Sequence, residues 1–140
     1  MRLARRVRVD RRLGRLAARL ALRGLRLALV TGTSLREVHR IVPAGLRRRF
    51  SVIVTGDAVR HGKPHPEPYQ TAMHRLRVPP RRTVVVENAP YGIRSARRAG
   101  AGLILAIASS LPRRFLRKAD LVVSSPAQLE QALRRIAGLV

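Results

Sequence analysis

The sequence predicts an α/β fold, a parallel sheet with helices on both faces. Three observations point there. Short aliphatic runs alternate with helical patterns five times along the chain, the signature of strand–helix–strand units. Residues 83–86, Thr-Val-Val-Val, form an unbroken β-branched run of the kind expected for a strand covered on both faces. Pro and Gly stand at the changeovers, as at Pro43, Pro79, Pro80, Pro90 and Gly100, where they punctuate rather than interrupt elements.

The elements follow in order. From Asp10, residues Leu13, Leu16, Ala17, Leu20 and Ala21 recur at the spacing of one helix face, and Gly24 stands where a C′ glycine closes a helix. Residues 25–31 read as a strand and Gly32 as a turn. Ser34 with Glu37 three residues on forms a capping box for a helix to about Val42, which Pro43 ends. Residues 46–50 are a basic turn, and residues 51–54 a short buried strand. Residues 55–68 make a Gly- and Pro-rich loop around a single Lys, and residues 69–76 a helix. The run at 83–86 is then a strand with Glu87 and Asn88 at its carboxyl end, before an Ala-rich helix to Gly100. Residues 103–107 are a strand, 112–118 a short helix and 120–123 a last strand. Pro126 opens the final helix, with Leu129, Ala132, Leu133 and Ile136 facing inward.

At 140 residues the chain fits one domain. Residues 1–9 are basic and weakly patterned, and are expected to be poorly ordered. No run approaches the ~20 apolar residues of a membrane span, and the absence of Cys excludes disulfide or thiolate chemistry, so cytoplasm is the expected location. The 30 Lys and Arg against 7 Asp and Glu give a formal charge of +23, a field that attracts polyanions. Yet all but Lys63 and Lys118 of these cations are Arg, scattered over every element, and Phe50, Tyr69, Tyr91 and Phe115 are not interleaved with them as an RNA-stacking surface requires. Nucleic acid is therefore the disfavoured alternative partner.

Three strand ends carry chemistry. The first reads Val-Thr-Gly-Thr-Ser over residues 30–34, with hydroxyls and backbone N–H groups ahead of a helix, able to hold phosphate oxygens. The second leads to Gly-Lys-Pro over residues 62–64. The third offers Glu87 and Asn88, two oxygen ligands for a hard cation such as Mg²⁺. Hydroxyl, ammonium and metal ligands at successive strand ends suit phosphoryl chemistry, which mainly positions and neutralises phosphate oxygens. Each has a plainer reading: Thr31 as a strand-end residue, Lys63 as a surface cation, Glu87 as a solvated strand end, and Asn88 as a helix cap.

These residues, with the loop Gly-Lys-Pro-His-Pro-Glu-Pro-Tyr over 62–69 as the most specific part, resemble the haloacid dehalogenase-like hydrolases. The branch is that of β-phosphoglucomutase and phosphoglycolate phosphatase, and the resemblance runs from about Asp10 to the C-terminus. It implies a Rossmann-like sheet acting on a small phosphorylated metabolite. Thr31 and the Gly32 N–H would bind phosphate, Lys63 would offset charge beside it, and Glu87 with Asn88 would hold Mg²⁺. Family members often carry Asp where this chain has Asn88, which brings no charge and implies weaker Mg²⁺ affinity.

The family's Asp-x-Asp-Gly motif, whose first Asp attacks phosphorus, is absent. The available Asp residues are Asp10, Asp57 and Asp120. Asp10 lacks the partner acid, since Arg12 stands there, and is better read as a helix cap; Asp57 is expected to be structural and Asp120 solvated. The family's central first strand and cap domain are missing as well. The expectation is a truncated hydrolase, weak or inactive alone, or a non-catalytic remnant. The strands at 25–31 and 83–87 then either pair directly, take a strand from a complementing N-terminal chain, or leave a weak fold.

Overall fold

The computed structural model describes residues 11–138; Asp10 and the expectation for residues 1–9 lie outside the described residues. The elements are α1 (Arg11–Leu22), β1 (Ala28–Val30), α2 (Leu35–Ile41), α3 (Ala44–Arg47), β2 (Val52–Val54), α4 (Glu67–Leu76), β3 (Val84–Glu87), α5 (Pro90–Arg98), β4 (Leu103–Ile107), β5 (Leu121–Val123) and α6 (Pro126–Ile136).

Local chemistry sets most of the boundaries. Gly24 takes φ +82°, and Leu25 N–H reaches back to Leu20 O at 3.2 Å, so a Schellman turn closes α1. Ser34 Oγ accepts from Glu37 N–H at 3.2 Å, half of the expected capping box. The Glu37 carboxylate instead pairs with Arg40 at 2.8 Å, a charged partner three residues along the same helix. Pro43 both ends α2 and stands as N-cap of α3, a helical turn where the sequence suggested only a basic turn. Pro66 and Pro68 occupy the N-cap and first turn of α4, positions where a missing N–H costs nothing, so the helix begins two residues before the expected start. The expected helix at 112–118 is a single 3₁₀ turn, Arg113–Phe115, because Leu116 alone of that stretch is buried and no helical apolar stripe exists.

All strand pairs are parallel, as expected. They form two sheets among the described residues, β1–β2 and β3–β4–β5. β4 is the middle strand of three and is covered on both faces. Ile104 and Ala106 join Tyr69, Met73, Ile93 and Ala96 on the α4–α5 side, whereas Leu105 and Ile107 join Leu16 of α1 and Leu129 of α6 on the other.

β3 departs from its expectation. Val85 and Glu87 are buried, but Val84 and Val86 remain 39% and 40% exposed. Val84 and Val86 are in register with Leu103 and Leu105 and so face the α1–α6 side, where an apolar cavity of about 1020 Å³ separates β3 from β1. Ala28, Val30, Val84 and Val86 line it from the two strands, Leu16 and Leu133 from the helices. Direct pairing of β1 with β3 therefore does not occur. The sheets are joined instead by α4, which packs on β1, β2 and α5. On α6, Leu129 is buried and Ala132 and Leu133 half-buried; Ile136, expected inside, is 42% exposed at the cavity rim.

Asp120 is not merely solvated. It accepts from Ile104 N–H at 2.7 Å and pairs with Arg97 at 3.0 Å, and these two contacts, the N–H first, hold its carboxyl below the usual range. Asp57, through the Thr55 hydroxyl, and Glu67, through the Arg60 N–H, are lowered likewise. A carboxyl with a lowered folded-state pKa contributes fully above its unfolded value, about 4, and loses that contribution as pH falls through the folded one. The urea midpoint is expected to stay level from about pH 7 to 5 and to drop below about pH 4, less steeply in Asp120→Asn.

Candidate active site

The carboxyl ends of β1, β2 and β3 converge on one edge. Thr31 extends the β1 ladder by one residue, its N–H donating to Val54 O at 2.9 Å. Its hydroxyl lies 3.1 Å from that of Thr33 and accepts from Thr33 N–H at 3.2 Å, so the turn is pinned with the hydroxyl pair at the sheet edge. The neighbouring loop comes very close. Gly56 N–H donates to Thr33 O at 2.7 Å, and a Cβ on Gly56 would collide with Gly32 O. Asp57 is structural in this arrangement: both its oxygens accept from Leu35 N–H, at 3.2 and 3.4 Å, and it takes the Thr55 hydroxyl as well.

Lys63 and Glu87, 24 residues apart, are in contact. Lys63 Nζ donates to Glu87 Oε1 at 2.6 Å and to Val30 O at 3.1 Å, which ties the loop to the ends of β1 and β3 at once. The pair is enclosed, with side-chain exposures of 21% for Lys63 and 6% for Glu87. Lys63 is thus not one more surface cation, and Glu87 is not a solvated strand end. Tyr69 donates its hydroxyl to Glu87 Oε1, and burial first, then the Glu87 charge, pushes the phenol pKa up. The hydroxyl is therefore a fixed donor. Asn88 N–H donates to Glu87 Oε2 at 3.2 Å, and Gly92 leaves the space the carboxylate fills, since a Cβ there would overlap its carbon and both oxygens.

Lys63, Glu87 and the Thr31 turn are therefore brought together through Val30, with Gly32 exposed beside them. Asn88 is exposed at the same edge; it does not cap α5, whose N-cap is Ala89 with no side-chain bond. Tyr69, Gly92 and Ser95 complete the site and carried little signal. Tyr69 read as a helix start, Gly92 as a breaker, and Ser95, whose hydroxyl donates to His65 O at 2.6 Å, as part of an Ala-rich helix. For a hard cation the donor set is partial. Glu87 Oε1 is occupied by Lys63 and Tyr69, leaving Oε2 and the Asn88 amide oxygen as two of the six positions Mg²⁺ demands.

Comparison with known proteins identifies the family. Residues 6–100 match the family model for haloacid dehalogenase-like hydrolases. A phosphorylated carbohydrates phosphatase of Thermotoga maritima is 33% identical over 115 residues, covering 80% of this chain and 53% of that protein. Protein CbbY of Cereibacter sphaeroides is 36% identical over 110 residues, covering 76% of this chain and 48% of that protein. Among solved structures, CbbY from Rhodobacter sphaeroides in complex with xylulose-(1,5)bisphosphate superposes with a TM-score of 0.79 at 32% identity, over 89% of this chain and 57% of that chain. The chain thus spans about half the length of the curated relatives it matches. With Thr31, Lys63 and Glu87 at adjoining strand ends of a parallel α/β fold, it belongs to the haloacid dehalogenase-like hydrolase family, in its phosphatase and phosphomutase branch.

Proposed function

We propose that this chain is the phosphate-binding part of a Mg²⁺-dependent phosphatase or phosphomutase acting on a small phosphorylated carbohydrate, and that it turns over only when a strand carrying the attacking carboxylate lies between β1 and β3. The observation that carries this reading is Lys63 Nζ, held between Val30 O at the end of β1 and Glu87 Oε1 at the end of β3. The relatives named above supply the substrate class. A cytoplasmic setting is part of the proposal; no helix among the described residues is long and apolar enough to cross a membrane.

The chemistry follows from charge. Thr31 Oγ1 and the Gly32 N–H present donors to phosphate oxygens, and Lys63 adds a fixed cation in a site screened from water, where such a charge acts most strongly. Glu87 and Tyr69 hold that ammonium in one place. Glu87 Oε2 and the Asn88 amide oxygen would hold Mg²⁺, which would supply further charge to offset phosphate. The chain's own residues thus bind and orient the phosphoryl group. A strand filling the gap would meet the β1 and β3 edges with its backbone and Val84 and Val86 with its apolar face.

The test is Mg²⁺-dependent hydrolysis of an aryl phosphate, with and without a polypeptide carrying an Asp-x-Asp-Gly strand. The chain alone is expected to show no turnover above a Glu87→Ala blank. Turnover should appear on complementation and fall by roughly 10²–10³-fold in Lys63→Ala, the loss typical of removing a charge-stabilising donor. Turnover by the chain alone that disappears in Asp10→Asn would overturn this reading in favour of a capless enzyme. Failure of every complementing strand would leave a non-catalytic remnant.

A further inference from the structure

We propose that His61, His65 and Glu67 form a separate metal site for a borderline transition-metal cation such as Zn²⁺, on the outer side of the loop whose inner side carries Lys63. The site is independent of the phosphatase reading, which uses none of these three residues.

Their ligand atoms lie within 4.8 Å of one another. His61 Nδ1 is 3.1 Å from Glu67 Oε2, close to the spacing of about 3.3 Å that ligands take around a tetrahedral ion with bonds of about 2.0–2.1 Å. The ion would replace the proton now shared between those two atoms. His65 Nδ1 accepts from Glu67 N–H at 3.1 Å, so in this orientation its lone pair is unprotonated, as a ligand's must be. The His65 ring is exposed, so it is free to turn a ring nitrogen toward the ion. The two rings are already stacked, with centroids 4.6 Å apart.

Glu67 is the anchor. Arg60 N–H and His61 N–H donate to its two oxygens at 2.9 Å each. The carboxylate is therefore oriented before any cation arrives. Water fills the fourth position, as in open zinc sites with three protein ligands.

The opposing terms choose the metal. The N-terminus of α4 and the +23 net charge disfavour any dication electrostatically. Only an ion whose affinity comes from coordination by imidazole overcomes them, which selects Zn²⁺, Co²⁺, Ni²⁺ or Cu²⁺ over Mg²⁺ or Ca²⁺. Because Lys63 lies between the two histidines in sequence, and Ser95 Oγ holds His65 O at 2.6 Å, a bound ion clamps the Lys63 loop from outside.

The test is a Co²⁺ titration of the 140-residue chain in excess Mg²⁺, followed by visible absorption. We expect the strong d–d band of a four-coordinate ion, saturating at one equivalent and bleached by Zn²⁺. Kd should weaken by at least ~10-fold in His61→Ala, His65→Ala and Glu67→Gln, no less than the loss seen on removing outer-shell partners of a metal ligand. His39→Ala and His74→Ala should leave it unchanged, and far-UV circular dichroism checks that each variant is folded. No band in the folded chain, a band indifferent to His61→Ala and His65→Ala, or equal weakening in His74→Ala would each overturn the site.

Discussion

Glu87→Ala is expected to lower the unfolding free energy by about 3 kcal/mol, because it leaves Lys63 and Tyr69 in an enclosed site, and Asn88 N–H at its edge, without their acceptor. Lys63 is 21% exposed at its side chain and would keep only Val30 O as a partner. Tyr69, buried and protonated, would lose the carboxylate its hydroxyl now meets. Glu87→Gln keeps an acceptor oxygen and should cost about 1 kcal/mol, the worth of a charge-assisted over a neutral bond. Removing both charges together, as in Lys63→Met with Glu87→Gln, should cost less than the two single changes added, since neither variant group is left as an unpaired ion. Urea midpoints of the wild-type chain and the four variants check this. A Glu87→Ala loss below about 0.5 kcal/mol, the size of an ordinary surface substitution, would mean the contact contributes as an exposed pair does.

Gly92→Ala should destabilise the wild-type chain by about 2 kcal/mol, a typical overpacking cost, yet stabilise the Glu87→Ala variant by up to about 1 kcal/mol. The reversal has a local cause. The three atoms nearest an added Cβ are the carboxyl carbon and oxygens of Glu87, and that group cannot retreat without releasing Lys63, Tyr69 and Asn88 N–H. Once the carboxylate is gone, what remains is the ordinary preference of a helix for Ala over Gly, about 1 kcal/mol. Thermal midpoints of the two single variants and the double variant give the cycle. Gly92→Ala with the same sign in both backgrounds would show that the glycine serves α5 and not the site.

The legible part of this molecule was its periodic part. Leu13, Leu16 and Leu20 mark a helix whatever they pack against, Gly24 its end, and the Gly-Lys-Pro loop a place where one cation is held between turn-forming residues. The misjudged part was burial. Residues 83–86 read as covered on both faces because every side chain is apolar. Composition reports what a strand can bury, however, and Val84 and Val86 face a cavity for want of a neighbouring strand. Asp120 looked solvated at the start of its strand because its partners, Arg97 and the Ile104 N–H, stand 23 and 16 residues away. Tyr69 gave no sign of its part for the same reason, its acceptor lying 18 residues on.

By itself the sequence determined the α/β class, the order and kind of nearly every element, the parallel pairing, and the three strand ends that carry Thr31, Lys63, Glu87 and Asn88. These are local properties, set by side-chain period, capping and turn chemistry within a few residues. The tertiary structure alone decided that the sheet divides between β1 and β3, and that Lys63 spends its charge on Glu87 and Val30 O. It alone placed Tyr69 and Gly92 around that carboxylate, and His61, His65 and Glu67 around one point. Each of these depends on which distant groups share a low-dielectric space, where an unmet partner is costly and a met one fixes position, and no spacing along the chain encodes that.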